Sequence, residues 1–378
     1  MLLALAAVDA TRSHDEAVLP EAQEALHRAV TSSRILLNVP GVGGTLDWSP
    51  DGRYFVTEGP EESGIVDIRD ARTGRSVRSF RGHGVDVNDV AFSPSGKLLA
   101  TAGDDGAVKV WAVPSGRNVL DSRLRGGVAR VFGPSISPDG SLTAAAWPNR
   151  NRVRIVRTRT GEQVAEIRVD SPVDTTFSPD GSRLAVSSCC NPGRVLVLDA
   201  RTGRLLLTTR GGDPTVIRDI AWSPDGRWIA AASSDNSAHV YDARTGRLRF
   251  TTPGNIAVDN GVDWSPDSTR LAVASNDGTV RITEVRETGT REVLTLAAQD
   301  LRNGARSVAF SPDGRRLMTS DWAVTSVKIW DVGPTAGAEI GNFQGGATFS
   351  NAAAAFTPDG ASVYLPDPAG TVSRRDVR

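Results

Sequence analysis

Few side chains in this chain are equipped for chemistry. There are four histidines, His14, His27, His83 and His239, and two cysteines, Cys189 and Cys190. A zinc site needs several such ligands a few residues apart, and no two of these histidines are so spaced. The adjacent cysteines fit neither a zinc pattern nor a disulfide framework, and read as two thiols packed at a strand end. No G-x-S-x-G elbow presents a nucleophilic serine. Gly96-Lys97 lacks the upstream glycine of a phosphate-binding loop. Asp104-Asp105-Gly106 lacks the further oxygen ligands of a calcium loop. The expectation is therefore a non-catalytic chain with no cofactor and no metal. The alternative is an enzyme or small-molecule binder using a central channel.

The composition narrows the partners. Forty-three basic residues against forty-four acidic ones leave a net charge of −1. A general nucleic-acid binder needs a strong positive field, so none is expected here. Lysine occurs only at Lys97, Lys109 and Lys328; the preference for arginine reads as the codon bias of a GC-rich genome. The hydrophobic share of 39% and charged share of 23% are those of an ordinary globular protein. No apolar run reaches the ~18 residues that span a bilayer. The apolar start, Met1 to Val8, lacks a basic flank and is followed at once by Asp9. It reads as a short helix over residues 2–10 and not as a secretory signal. The expected location is the cytoplasm, away from membranes.

The elements that position these residues announce themselves by repetition. Ser49-Pro50-Asp51-Gly52 returns as Ser93-Pro94-Ser95-Gly96, Ser137-Pro138-Asp139-Gly140, Ser178-Pro179-Asp180-Gly181 and Ser223-Pro224-Asp225-Gly226. It returns again as Ser265-Pro266-Asp267-Ser268, Ser311-Pro312-Asp313-Gly314 and Thr357-Pro358-Asp359-Gly360. The eight prolines lie 44, 44, 41, 45, 42, 46 and 46 residues apart. Ser, Pro, Asp and Gly in that order suit a type I turn, with Pro fixing φ and Gly accepting a left-handed exit. An apolar residue, mostly aromatic, precedes each turn and ends a strand. After the turn come an apolar run such as Leu98–Ala102, a second turn, and a β-branched run such as Val108–Trp111. A third turn, for example Arg72-Thr73-Gly74, leads to a fourth strand such as Ser76–Phe80. Four short strands at even spacing, with no helical period between them, read as one propeller blade.

These repeats resemble the WD-repeat family over roughly residues 34–378. In the second repeat, His83 after Gly82, Thr101, Asp105 and Trp111 stand where the family places its structural tetrad. The resemblance implies that these four form a hydrogen-bonded chain within one blade. Other repeats depart from the pattern. The Trp-Asp pair occurs once, at Trp330-Asp331, and its place elsewhere is taken by Leu198-Asp199, Tyr241-Asp242, Thr283-Glu284 and Arg375-Asp376. Those blades are expected to rely on packing.

Counting strands gives an all-β, eight-bladed propeller, with seven blades as the alternative. Inner strands recur eight times, and the last repeat stops without an outer strand. Residues 34–39 precede the first inner strand and supply the missing one, so the expected closure pairs them with the final blade and leaves no open edge. Residues 1–33 stand outside the ring as a helical junction segment. From Pro20 on, Ala22, Ala25, Leu26, Ala29 and Val30 share one helical face. Pro20 with Glu21 and Glu24 suits the start of that helix, and the stripe is a candidate surface for a partner helix.

Function is then expected at the ring's loops. Asn88, Asp89, Arg130, Asp174, Arg218, Asp219, Asn260 and Arg306 are candidates for a protein-binding rim. A second, narrower resemblance concerns the junction: residues 1–36 look like the segment preceding the propeller in actinobacterial STAND-type signalling NTPases. That resemblance implies a sensor or scaffold in bacterial signalling, a monomer whose partner is an NTPase or helical signalling domain.

Overall fold

In the computed structural model, the described residues are 35–333 apart from short segments at 42, 60–62, 114, 125–128, 190–192, 213–215, 253–256, 258, 299–303 and 322–325, plus three strands beyond 354. Two compact units are present, Leu36–Gly333 forming one, and residues 1–35 with 334–378 the other. The junction helix expected at residues 20–30, with the stripe from Ala22 to Val30, lies outside the described residues. Among the described residues the one helical element is a single 3₁₀ turn, Pro148–Arg150.

The larger unit is a β-propeller of seven four-stranded antiparallel sheets. The first strands of the seven blades are Gly43–Trp48, Val87–Phe92, Phe132–Ile136, Pro172–Phe177, Ile217–Trp222, Asp259–Trp264 and Ala305–Phe310. Each neighbours the next, and the seventh neighbours the first, so the ring is closed. Blades 1 to 6 use four consecutive strands, whereas blade 7 borrows its fourth from the chain's beginning: Ile35–Pro40 pairs with Ser326–Asp331.

The expectation of eight blades is thereby corrected to seven. An outer strand does form there, over Ile35–Pro40, but on the seventh repeat and not on the last. The eighth repeat makes a separate three-stranded sheet of Ala355–Phe356, Ser362–Pro366 and Val372–Asp376.

The repeated turn takes part in the joints between blades. The Gly52 N–H donates to Ser49 O at 2.8 Å, and glycine at this position sits at φ near +70° in most blades, for example +66° at Gly52 and +72° at Gly226. The buried serine hydroxyl donates to the Asp51 carboxylate and accepts from the Tyr54 N–H, locking the turn from within. The proline packs on the glycine of the next blade's turn. A methyl added to Gly96 would lie 3.2 Å from Pro50, one on Gly181 3.2 Å from Pro138, and one on Gly314 3.4 Å from Pro266. The same contact joins blade 7 to blade 1, since a methyl on Gly52 would meet Pro312 at 3.6 Å.

Tryptophans repeat the message one layer inward. Trp222 Nε1 donates to Thr176 O and Trp264 Nε1 to Ala221 O, each reaching the preceding blade. Trp48 Nε1 reaches Ala309 O of blade 7 at 3.1 Å. Between these blades one apolar core contains Val39, Leu46, Trp48, Phe55, Met318, Val327 and Ile329. Once these contacts are made, the joint between blades 7 and 1 is built like the joints between consecutive blades.

Candidate functional site

Blade 2 holds the four residues singled out by type and spacing. His83, 2% exposed, has Nδ1 2.8 Å from Asp105 Oδ1 and Nε2 2.8 Å from Thr101 Oγ1. Trp111 Nε1 donates to the same Thr101 oxygen at 3.0 Å. The chain links the loop before the first strand to the second and third strands. Burial pulls the Asp105 carboxyl upward, but the hydrogen bond and charge of His83 outweigh it and hold Asp105 far below the ordinary carboxylate range. Buried chains of this kind are stabilising only when every member is satisfied. Asp105→Ala removes the partner of His83 Nδ1 and should cost about 1–3 kcal/mol. Asp139→Ala, in an exposed turn, should cost about 0.5 kcal/mol. Urea unfolding of both variants checks this, and equal costs would refute the assignment of the chain as a blade-2 lock.

Blade 5 reaches a related arrangement by another route, one the sequence concealed. Sequence position suggests His239 as a surface residue of its strand, yet it is 2% exposed. It stands opposite Ala231 in register, as Lys109 stands opposite Thr101 in blade 2. Where blade 2 has His83, blade 5 has Gly212, and a methyl there would lie 2.5 Å from His239 Nδ1. The His239 ring fills that space from the neighbouring strand and binds Asp235 through Nε2 at 2.8 Å. His239 Nδ1, the ring atom on the Gly212 side, is buried with no hydrogen-bond partner. Cys189, at the end of the strand Arg183–Ser188, donates its backbone N–H to Ser171 O; Cys190 lies outside the described residues.

The residues expected on the rim divide sharply. Asp89, Asp174 and Asp219 lie on first strands, where their carboxylates clamp one blade to the next. Asp89 accepts from the Gly133 N–H at 3.1 Å, Asp174 from Ile220 at 3.1 Å, and Asp219 from Val262 at 2.9 Å. Asp47 and Asp263, two aspartates that sequence reasoning missed, do the same to Phe92 and Phe310 at 2.7 Å. Asn260 donates to Asn276 and to Ala305 O, again across a blade boundary. Asn88 donates to Asp104 and to Val131 O. Arg306 reaches from blade 7 to Glu58 of blade 1 at 3.1 Å and to Asn88 O of blade 2 at 3.3 Å. Five of these six side chains are half-buried and Asn260 is buried, and each spends hydrogen bonds inside the ring, on backbone groups of a neighbouring blade or on the Glu58 and Asp104 carboxylates. Arg130 and Arg218 are exposed, and Arg130 has a single weak ion pair with Asp104 at 3.4 Å.

The inward carboxylates carry the strongest electrostatic perturbation in the ring. Burial pushes Asp47 and Asp89 up to about 7 and Asp263 up to about 8. Glu58 rises to about 7, with burial outweighing the charge of Arg306. Burial raises Asp174, with the neighbouring Asp219 carboxylate adding to the effect, and burial raises Asp219 as well. This is a convergent acidic cluster, the feature that a channel enzyme would need. Its oxygens are engaged by backbone N–H groups, and among the described residues no three His, Cys, Asp or Glu side chains are placed to hold a metal ion. No helix among the described residues is long and apolar enough to cross a membrane.

Comparison with known sequences agrees with this architecture. A family model described as WD domain, G-beta repeat, matches residues 74–112, 203–242 and 246–283. Each match begins at the fourth strand of one blade and ends in the third strand of the next, so the sequence repeat and the blade are offset by one strand. The chain is 29% identical over 46% of its length to WD repeat-containing protein SL1-17 of Schistosoma mansoni. It is 26% identical over 69% of its length to Nuclear distribution protein PAC1 of Arthroderma benhamiae. It is also 26% identical over 44% of its length to eukaryotic translation initiation factor 3 subunit I of Scheffersomyces stipitis. The matched regions cover 56%, 62% and 50% of those proteins, all of them eukaryotic, so the chain spans little more than half their length. Three stretches of the chain thus match WD-repeat sequence, and they lie in blades of the seven-bladed β-propeller.

Proposed function

We propose that this chain is a non-catalytic protein-binding scaffold or sensor module. The observation that carries the reading is the use of the polar residues in the ring. Those suited to chemistry, His83, Asp105, Asp89, Asp174 and Asp219, are committed to holding blades together. The groups left for recognition are exposed side chains such as Arg130, in a loop, and Arg218, at the start of a first strand. The WD-repeat resemblance supports the same reading, because propellers of that family serve as platforms for other proteins. The junction resemblance and the arginine-rich composition extend it to bacterial signalling in the cytoplasm. The partner would be an NTPase or helical signalling domain, met through Arg130 and Arg218 together with the segment carrying Ala22, Leu26, Ala29 and Val30, with the chain itself monomeric.

The test is partner capture from the native cell with the full chain as bait, compared with a variant combining Arg130→Glu and Arg218→Glu. The expected result is a partner retained by the wild type and lost by the variant. The reading fails if the wild type captures nothing beyond an unrelated control protein. It also fails if the purified chain turns over an ester, peptide or nucleoside triphosphate at a rate abolished by Asp89→Asn.

A further inference from the structure

One cleft stands apart from the acidic interior. It opens between blades 2 and 3, encloses about 480 Å³, and is lined by Arg123, Arg150, Arg152 and Arg154, with Glu166 as its lining acid. In a chain whose acidic and basic residues balance overall, four arginines lining one cleft, with Glu166 within it and Asp105 and Asp121 behind Arg123, leave a local excess of positive charge. Arg150 closes the short 3₁₀ turn, and Arg152 and Arg154 follow at alternate positions, hence on one face of the strand Arg152–Arg157. Arg168 stands opposite Arg152 in register and adds to the field. Like charges placed so closely oppose one another.

The arginines are held in place before any ligand arrives. Glu166 accepts from Arg154 Nη2 at 2.8 Å and from Arg154 Nε at 3.2 Å, and lies 3.4 Å from Arg152 Nε. Arg154 Nη1 donates to Arg123 O across the blade boundary at 2.9 Å, and its guanidinium lies over Trp147 at 6.0 Å. Arg123 is drawn by Asp121 and Asp105. Arg154 is thus a positioning residue, and Arg123, Arg150 and Arg152 carry the recognising charge. Fixed guanidinium forks suit carboxylates, which they bind in paired hydrogen bonds.

We propose that this cleft binds an acidic segment of a protein partner, whose carboxylates meet Arg123, Arg150 and Arg152. The proposal rests on the protein-binding reading above and names the chemistry of one docking site. A nucleic-acid strand is the competing anion, disfavoured by the chain's net charge of −1.

The experiment uses the full chain and a short fluorescent peptide with glutamate at alternate positions. Anisotropy is read against the same peptide with glutamine in place of glutamate, and against a single-stranded oligonucleotide. The glutamate peptide should bind at least about tenfold more tightly than either comparator. Its affinity should fall several-fold between about 50 mM and about 300 mM salt. Combining Arg150→Gln with Arg152→Gln should weaken it by about tenfold or more, whereas Arg244→Gln, in an exposed turn of blade 5, should leave it within about twofold. Hydrogen exchange on the wild type supplies a readout independent of the variants: the peptide should protect residues 150–168. Equal binding of the glutamine peptide, tighter binding of the oligonucleotide, no loss in the double variant, or no protection at 150–168 would overturn the proposal. If the cleft fails while the wild type still captures its partner, only this site is lost; if capture fails too, the scaffold reading goes with it.

Discussion

Deleting residues 1–40 should lower the propeller's unfolding free energy by about 3–6 kcal/mol, or prevent folding altogether. The strand Ile35–Pro40 is the fourth strand of blade 7, and its loss bares the edge of Ser326–Asp331. It also removes Val39 and Leu37 from the core shared with Trp48, Met318 and Ile329. Each buried side chain of that size is worth about 1.5–3 kcal/mol, and an open ring also gives up the contacts between blades 7 and 1. The companion deletion, residues 334–378, should leave the ring's denaturation midpoint within about 0.5 kcal/mol of the full chain's. An eight-bladed ring requires the opposite, since residues 355–376 would then complete it. Urea denaturation of the two truncated chains, followed by tryptophan fluorescence, separates the two architectures directly.

The second large effect is on pH. Asp47, Asp89, Asp263 and Glu58 are raised by burial to between about 7 and about 8, and Asp174 and Asp219 are raised as well. In the unfolded chain these groups titrate near 4. Between those limits the folded state binds more protons, so stability is full below pH ~4 for these groups and is lost as pH rises through ~8. The tetrad acts with the opposite sign: Asp105 is depressed, and its contribution is lost only as the solution becomes strongly acidic. The denaturation midpoint should therefore be highest near pH ~5 and fall steadily towards pH ~9. Asp47→Asn combined with Asp263→Asn keeps an acceptor for the Phe92 and Phe310 N–H groups and removes the ionisation. The double variant should be more stable than the wild type at pH ~9 by on the order of 2–4 kcal/mol, and within about 1 kcal/mol of it at pH ~5. A wild-type midpoint that stays flat from pH ~5 to ~9 would sink this account.

Both predictions concern contacts between blades, and these are what could not be read from residue order. The turn motif was legible because its mechanics are local: a serine hydroxyl, a fixed proline φ and a left-handed glycine act within six residues. The four residues of blade 2 were legible for a similar reason, lying within one repeat at distances a family pattern encodes. His239 was not, because its place depends on what a loop and another strand lack, a side chain at Gly212 and a threonine at Ala231. The inward aspartates looked like rim residues because a polar side chain near a strand's start has the same appearance in sequence whether it faces solvent or a neighbouring blade. The arginines of the proposed cleft were hidden among forty, and gained meaning only when two blades brought Arg123 beside Arg154.

By itself, then, the sequence determined the blade: four short strands, their turns, their aromatic ends and the lock in blade 2. It also determined that the ring would be closed by a strand from the chain's beginning. Only the tertiary structure decided the number of blades. Eight copies of one phrase are a local signal, and each copy can form three strands without reference to the others. Closure depends on pairs such as Trp48 and Ala309, 261 residues apart, and on Pro312 seating against Gly52. Those contacts join the seventh repeat to the first and leave no opening in the ring for the eighth.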